Sequence, residues 1–245
     1  MSHRDETPDP GALVHAGELR LTSSDGVAFL AYEAVPARPT GAGVVLLPDV
    51  RGAHEFYRGL ARRFAASGVA AVVLDYYGRL AADDDRGPGF DGYAYVSRLD
   101  WAAAREDIKA GVDHLLSGSA GPVAWAFTVG FSLGGAMSWG QSALEPRLSG
   151  AAGFYGRPAE CRELIPGMAR PLLVLAAGGD VLTTVEDNLA FERELTALGV
   201  ENEFELYPDA PHSFFDGDLP GQADASADAW ERLGAFLARH GRTEV

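Results

Sequence analysis

The sequence has almost none of the residues from which disulfides and thiolate metal sites are built. Among its 245 residues there is one cysteine, Cys161. A single cysteine excludes an internal disulfide and a cysteine metal site. Cys161 lies in a segment containing proline, glutamate and arginine, without the sharp turn that presents a nucleophile. We therefore expect its role to be structural.

Positive charge is also scarce. Lys109 is the only lysine, and the formal net charge of the chain is −15. Nucleic acids and anionic membranes bind basic protein faces. The charge therefore argues against both as partners and favours solubility.

Long apolar runs are missing as well. No stretch approaches the roughly 18 apolar residues that a membrane helix needs, and residues 1–11 lack the apolar core of a signal peptide. We expect a soluble, cytoplasmic protein that is a monomer or a weak homodimer. Hydrophobic residues make up 47% of the chain and charged residues 22%, which is ordinary for a globular protein with a full core.

Apolar patterning divides the chain into alternating strands and helices. Strands are predicted at Glu18–Thr22, Val27–Pro36, Gly43–Pro48, Val69–Leu74, Val123–Val129, Leu148–Tyr155, Leu172–Ala176 and Asn202–Tyr207. Helices are predicted at His54–Ser67, Leu99–Leu116, Ala136–Leu144, Glu186–Leu198 and Ala225–His240. Residues 1–16 are expected to be a disordered tail, and residues 77–97, rich in glycine and aspartate, an excursion over one end of the sheet.

This order predicts an α/β fold of one domain over residues 17–245. Strands that alternate with helices form a mostly parallel sheet with helices on both faces. We expect about eight strands and no separate cap domain. The Asp25-Gly26 turn predicts a hairpin that supplies antiparallel strands at one edge.

The most informative motif is Gly130-Phe131-Ser132-Leu133-Gly134-Gly135. It follows a predicted buried strand and precedes a predicted helix, and a strand, G-x-S-x-G and a helix in this order form a nucleophile elbow. Side chains at positions 130 and 134 would collide with neighbouring backbone. Ser132 is therefore the predicted nucleophile.

A serine nucleophile needs a base and an acid that orients the base. Of the two histidines that follow Ser132, His240 ends the last helix, where a solvated capping residue is expected. His212 lies in the loop after the last strand, so we predict it as the base. Asp180, just past the strand at 172–176, is the predicted acid, and Asp209 is expected to serve a turn.

Two backbone amides are needed to hold the oxyanion that forms during attack. One is expected from Leu133, the residue after the nucleophile. The other is expected from Val50, in the loop Asp49-Val50-Arg51-Gly52 that follows a buried strand.

Five segments resemble the dienelactone hydrolase family of α/β-hydrolases. They are Leu47-Pro48-Asp49-Val50-Arg51-Gly52, Asp75-Tyr76-Tyr77-Gly78-Arg79, the motif around Ser132, Gly153-Phe154-Tyr155-Gly156 and Pro211-His212-Ser213-Phe214. The resemblance covers about 200 residues from Gly43 to the C-terminus. It implies the α/β-hydrolase fold and cleavage of a carboxylic ester, lactone or thioester with no cofactor and no metal.

The sequence departs from the family pattern at three places. The best-known members have cysteine where this chain has Ser132, and glutamate where it has Asp49. Lactone-cleaving members hold a substrate carboxylate with two arginines; one corresponds to Arg79, but Asp216 stands at the other position. A neutral small-molecule acyl substrate is therefore expected.

Residues beside these motifs are the candidates for substrate binding. Three of them have a structural alternative: Asp49 as a turn residue, Arg51 as a solvated loop residue and Phe131 as packing under the elbow. The substrate-binding candidates are Asp49, Arg51, Tyr76, Tyr77, Arg79 and Phe131.

The sequence predicts a serine hydrolase that works through an acyl-enzyme. Two alternatives stay open at this point. The same triad can serve acyl transfer, isomerisation or cyclisation in biosynthesis, or the chain can be a ligand-binding member of the fold without turnover.

Overall fold

The computed structural model describes residues 13–216 and 219–241. These residues form two compact units, one that ends at Ala126 and one that begins at Phe127. The prediction of a single domain over residues 17–245 stays a prediction. The larger part of the predicted tail, residues 1–12, lies outside the described residues.

Four strands in the order β1-β2-β4-β3 form the sheet of the N-terminal unit. They are β1 Leu13–Thr22, β2 Ala28–Pro36, β3 Ala42–Leu47 and β4 Ala70–Leu74. Strand β2 pairs antiparallel with both β1 and β4, and β3 pairs parallel with β4. Every residue of β3 and β4 is buried, which explains their continuous apolar sequences.

The predicted hairpin is confirmed, and its first strand is longer than expected. The amide of Gly26, at φ 82°, donates to the Ser23 carbonyl over 2.9 Å and closes the turn. Residues 13–16, predicted as tail, belong to β1 and pair with residues 34–36 of β2. Their side chains are mostly exposed, so backbone pairing extends the strand without an apolar alternation that the sequence could reveal.

The helices among residues 13–126 are α1 Glu55–Ala66, α2 Tyr93–Val96 and α3 Trp101–Leu116. Helix α1 buries Tyr57, Leu60 and Phe64 on one face and ends before Gly68, whose φ is 88°. The predicted excursion at 77–97 contains the short helix α2 and part of a 3₁₀ turn at Tyr76–Arg79.

The C-terminal unit has strands in the order β5-β6-β7-β8. They are β5 Trp125–Phe131, which begins at the end of the preceding unit, β6 Leu148–Phe154, β7 Leu172–Ala177 and β8 Asn202–Tyr207. The helices are α4 Leu133–Leu144, α5 Pro158–Cys161, α6 Val185–Ala197 and α7 Ala223–His240, with a 3₁₀ turn at Arg162–Gly167. Strands β6, β7 and β8 run parallel, so their carboxyl ends share one edge.

The predicted bounds also differ from the structure around the nucleophile. Strand β5 continues to Phe131, two residues beyond the prediction, and α4 begins at Leu133, three residues before it. The sequence predicted a later start because Gly134 and Gly135 are poor helix formers, whereas tertiary packing places them in the first turn. Among the described residues, no helix is long and apolar enough to cross a membrane.

Candidate active site

The turn between β5 and α4 has the geometry of a nucleophile elbow. Ser132 has φ 53° and ψ −112°, a conformation that costs an L-residue free energy. A Cβ at Gly130 would lie 1.8 Å from the Gly134 carbonyl oxygen, so only glycine fits there. The Ser132 side chain makes no capping hydrogen bond to α4, which leaves its hydroxyl available for another partner.

That partner is His212. Its Nε2 lies 2.8 Å from Oγ of Ser132, and its Nδ1 lies 2.7 Å from Oδ2 of Asp180. Asp180 follows β7 and His212 follows β8, and these two strands run parallel, whereas Ser132 follows β5. The structure thus brings together all three residues that the sequence singled out as a triad.

Hydrogen-bond chemistry determines which atom donates and which accepts between Ser132, His212 and Asp180. A carboxylate only accepts, so Nδ1–H of His212 donates to Asp180, and Nε2 is then the acceptor for the Ser132 hydroxyl. The Asp180 side chain is 1% exposed and that of His212 is 20% exposed. The amide of Leu182 donates to Oδ1 of Asp180 over 2.7 Å, which fixes the carboxylate that orients the imidazole.

His240 and Asp209 were the alternatives to the predicted base and acid. The His240 side chain is 10% exposed, with its ring 4.6 Å from the Phe236 ring and its Nε2 3.8 Å from Glu203. The expectation of a solvated capping residue was therefore wrong, because the His240 ring packs on its own helix. Asp209 is exposed in the turn after β8.

Leu133 and Val50 are the predicted oxyanion donors. Leu133 is the first residue of α4, directly after the nucleophile. Val50 lies in the turn after β3, and a Cβ at Gly92 would lie 1.7 Å from its carbonyl oxygen. The role of their two amides stays a prediction.

The loop after β3 pairs two substrate-binding candidates with each other. Oδ1 of Asp49 accepts the Arg51 amide over 2.8 Å, and Oδ2 accepts from Nε and Nη2 of Arg51 over 3.0 and 2.5 Å. Asp49 is 3% exposed. These contacts match the alternative in which Asp49 is a turn residue, and they give Arg51 an intramolecular partner.

Tyr76 and Tyr77 were predicted to bind substrate, and both side chains are buried in the structure. The Tyr76 hydroxyl donates to the backbone carbonyls of Pro48 and Asp49, so this side chain supports the loop after β3. The Tyr77 ring, 0% exposed, lies 5.3 Å from the Phe90 ring. Burial raises the pKa of both phenols above their ordinary value, which keeps them neutral.

Arg79 was predicted to bind substrate, and its guanidinium is paired within the protein. Nε and Nη2 donate to the two oxygens of Asp107 over 2.8 and 2.7 Å. Nη1 donates to Asp25 over 2.6 Å, and Nη2 also reaches Ser23. The Arg79 guanidinium is therefore bound by two carboxylates of the protein itself.

Phe131 packs beneath the elbow. It is 0% exposed and stacks on Phe154 with ring centroids 4.6 Å apart and on Phe215 at 5.7 Å. This is the structural alternative for the residue, in which it supports Ser132 from the core.

Cys161 is buried, as its expected structural role requires. Its side chain is 1% exposed, and burial raises the pKa of the thiol to about 12. A thiol in this state is protonated at neutral pH and is a poor nucleophile. In the part of the chain that the structure describes, no group of three or more histidine, cysteine, aspartate or glutamate residues is arranged to hold a metal ion.

Sequence reasoning missed two features, one in each unit. The Tyr155 ring lies 5.1 Å from the His212 ring, and only its place in Gly153-Phe154-Tyr155-Gly156 could have indicated this. Arg86, 1% exposed, forms a buried ion pair with Asp75 at 2.8 Å. This pair anchors the segment at 77–97, which was expected to be an excursion. No local sequence pattern indicates that an arginine pairs with an aspartate eleven residues away.

Comparison with known proteins places the chain in a family. Residues 29–241 match the model described as "Dienelactone hydrolase family". A Rhodococcus opacus carboxymethylenebutenolidase is 29% identical, over 98% of this chain and 97% of its own length. A Salmonella typhi protein, provisionally named a carboxymethylenebutenolidase, is 28% identical over 95% of this chain and 90% of its own.

A solved structure agrees with these relatives. It is a Klebsiella pneumoniae protein, provisionally named a dienelactone hydrolase, with a TM-score of 0.78 and 26% identity. The alignment covers 91% of this chain and 98% of that one. The chain has the α/β-hydrolase fold, with eight strands, mostly parallel, and flanking helices.

Proposed function

The chain belongs to the dienelactone hydrolase family, a family of hydrolases that act on esters and lactones, and we propose that it cleaves a carboxylic ester, lactone or thioester through an acyl-enzyme on Ser132. The observation that carries the proposal is the unbroken hydrogen-bonded series from Ser132 through His212 to Asp180. Such a series activates a hydroxyl that is otherwise a weak nucleophile at neutral pH.

The first half of the reaction acylates the enzyme. Oγ of Ser132 attacks the substrate carbonyl carbon while Nε2 of His212 takes the hydroxyl proton. Asp180 holds the imidazole in the required tautomer and stabilises the imidazolium. The carbonyl oxygen becomes an oxyanion that the amides of Leu133 and Val50 are proposed to bind. His212 then returns the proton to the leaving oxygen or sulfur as that bond breaks.

The second half releases the acid. A water molecule loses a proton to Nε2 of His212 and attacks the acyl carbon. The second tetrahedral intermediate collapses, Oγ of Ser132 recovers the proton from His212, and the carboxylic acid leaves. Each proton that His212 accepts is returned within the same half-reaction, so no cofactor is needed for the balance.

We propose that the acyl substrate is neutral. Arg79 is bound to Asp107 and Asp25, and Arg51 is bound to Asp49, so two candidate cations are engaged within the protein. The net charge of −15 adds a long-range field that disfavours anions. Uncharged alkyl or aryl esters and lactones fit these conditions better than substrates with a carboxylate.

The test is the intact mass of the protein after incubation with a fluorophosphonate, followed by peptide mapping. Wild type is expected to gain one adduct on Ser132, whereas Ser132→Ala gains none and His212→Ala reacts much more slowly. A matched pair of esters, one neutral and one with a terminal carboxylate, then tests substrate charge. A folded wild type that gains no adduct and hydrolyses neither ester would overturn the proposal.

A further inference from the structure

Three non-glycine residues in the described part of the chain have a left-handed backbone: Ser132 at φ 53°, Tyr155 at 38° and Ser213 at 63°. Large L side chains disfavour this region, and such residues persist where the surroundings hold them, often at functional sites. Ser132 is the proposed nucleophile and Ser213 follows the proposed base. Tyr155 has no role in the reaction described so far.

The backbone at Phe154 and Tyr155 is bonded to two of the elements that carry the triad. The Phe154 carbonyl accepts the Ser132 amide over 2.9 Å, and the Tyr155 amide donates to the Leu175 carbonyl over 2.8 Å. Leu175 belongs to β7, the strand that leads to Asp180. The end of β6 is therefore fixed to both the nucleophile turn and the strand before the acid.

The left-handed turn also directs the Tyr155 ring. Successive residues of a strand point to opposite faces, yet both Phe154 and Tyr155 approach Phe131, with ring centroids 4.6 and 6.3 Å away. The turn ends the alternation and brings the Tyr155 ring against the His212 imidazole, 5.1 Å away and inclined by 60°. Tyr155 is 3% exposed and packs on Phe214 as well, so its ring has a fixed place.

The glycines on either side of Phe154 and Tyr155 allow close packing against helix α4. A Cβ at Gly153 would lie 2.4 Å from Nε1 of Trp139, and a Cβ at Gly156 would lie 2.8 Å from the Ala136 amide nitrogen. Both contacted residues belong to α4, the helix that starts at the nucleophile. Glycine at these two positions therefore lets α4 pack directly against the corner that carries Tyr155.

We infer that Tyr155 is a positioning residue for His212, a role that deepens the proposed function and rests on it. The hydrogen bonds to Asp180 and Ser132 fix the two nitrogens of the imidazole, and these define one axis. These two bonds restrain the ring less against tilting about that axis than against displacement of the nitrogens. The Tyr155 ring restrains it from the side, so Nε2 stays aligned while the proton moves from Ser132.

The experiment compares Tyr155→Phe, which keeps the ring, with Tyr155→Leu, which removes it. In a proton NMR spectrum, the proton between Nδ1 of the imidazole and a carboxylate resonates far downfield when the imidazole is held in place. This signal can be recorded without substrate turnover. We expect the signal in wild type and Tyr155→Phe, and its loss or broadening in Tyr155→Leu. Tyr155→Leu should also label with fluorophosphonate about 10- to 100-fold more slowly, because small misplacements of a reacting group are this costly.

A matched control separates positioning from general loosening of the core. Phe191 is a buried aromatic residue on α6 that packs on Trp139. Phe191→Leu removes a comparable ring, and we expect it to lower Tm while leaving the downfield signal and labelling rate unchanged. In ester hydrolysis, Tyr155→Leu should lower kcat with little change in KM.

The outcomes also separate this inference from the proposed function. Retention of the downfield signal in Tyr155→Leu, or equal losses in Tyr155→Phe and Tyr155→Leu, would overturn the inference. If wild type neither labels nor hydrolyses esters, the proposed function fails, while the signal still decides whether Tyr155 positions His212.

Discussion

Arg79 and Asp107 form a bidentate ion pair, with Nε 2.8 Å from Oδ2 and Nη2 2.7 Å from Oδ1. The Asp107 side chain is fully buried and that of Arg79 is 11% exposed. Hydrogen bonding to Asp107 raises the pKa of Arg79 above its ordinary value. An arginine that was predicted to bind substrate thus holds helix α3 to the 3₁₀ turn after β4.

Removal of this arginine should therefore affect folding more than substrate binding. Arg79→Ala leaves Asp107 buried without its partner, and we expect the free energy of unfolding to fall by about 3–5 kcal/mol. Arg79→Ala combined with Asp107→Ala should recover part of the loss, as urea denaturation would measure. A rise in KM confined to carboxylate-bearing esters, with stability unchanged, would show instead that Arg79 binds substrate.

Acidic pH should remove a second contribution of Arg79 to the stability of the folded state. Its hydrogen bond holds the pKa of Asp25 well below the ordinary value of 3.8. The folded state therefore binds fewer protons than the unfolded state, so this stabilisation is present above about pH 4 and is lost as the pH falls further. Asp25→Asn should lower Tm at pH 7, and the difference from wild type should shrink at pH 2 to 3. Asp91→Asn, which removes one carboxylate at an exposed position, serves as the matched control for the loss of a negative charge.

Asp180→Asn tests the orienting role of the acid with little change of shape. An amide can donate to Nδ1 and so favours the wrong imidazole tautomer, and we expect kcat to fall about 10⁴-fold. Asp209→Asn, at the exposed position after β8, serves as the control and should hydrolyse esters at the wild-type rate. A modest loss in Asp180→Asn, matched by Asp209→Asn, would mean that Asp180 does not orient the base.

Two glycine substitutions should have opposite effects. The added Cβ of Gly130→Ala would lie 1.8 Å from the Gly134 carbonyl, so the elbow must deform and fluorophosphonate labelling should be lost. A Cβ at Gly234, inside α7, meets nothing within 4 Å, and Gly234→Ala should stabilise the protein by up to about 1 kcal/mol. Labelling and thermal melting of both variants measure these effects, and a fully active Gly130→Ala would contradict the packing argument.

The strands and the order of the proposed triad were predictable because their signals are local. Buried parallel strands require continuous apolar runs, and the elbow requires glycine at fixed spacings around Ser132. Asp180 and His212 each follow the carboxyl end of a predicted strand, so chain order and strand position singled them out. These constraints act over a few residues, which is the range that a single sequence reveals.

Side-chain partners across the fold were decided only by tertiary structure. Arg79 meets Asp107 and Asp25, which are 28 and 54 residues away along the chain, and Arg86 meets Asp75 in the core. An arginine that binds substrate and one that binds a buried carboxylate look alike in sequence. They differ only in the charged group that the packing of the fold places beside the guanidinium. The left-handed turn at Tyr155 depends in the same way on contacts from β7, α4 and the His212 loop, none of which its own neighbours specify.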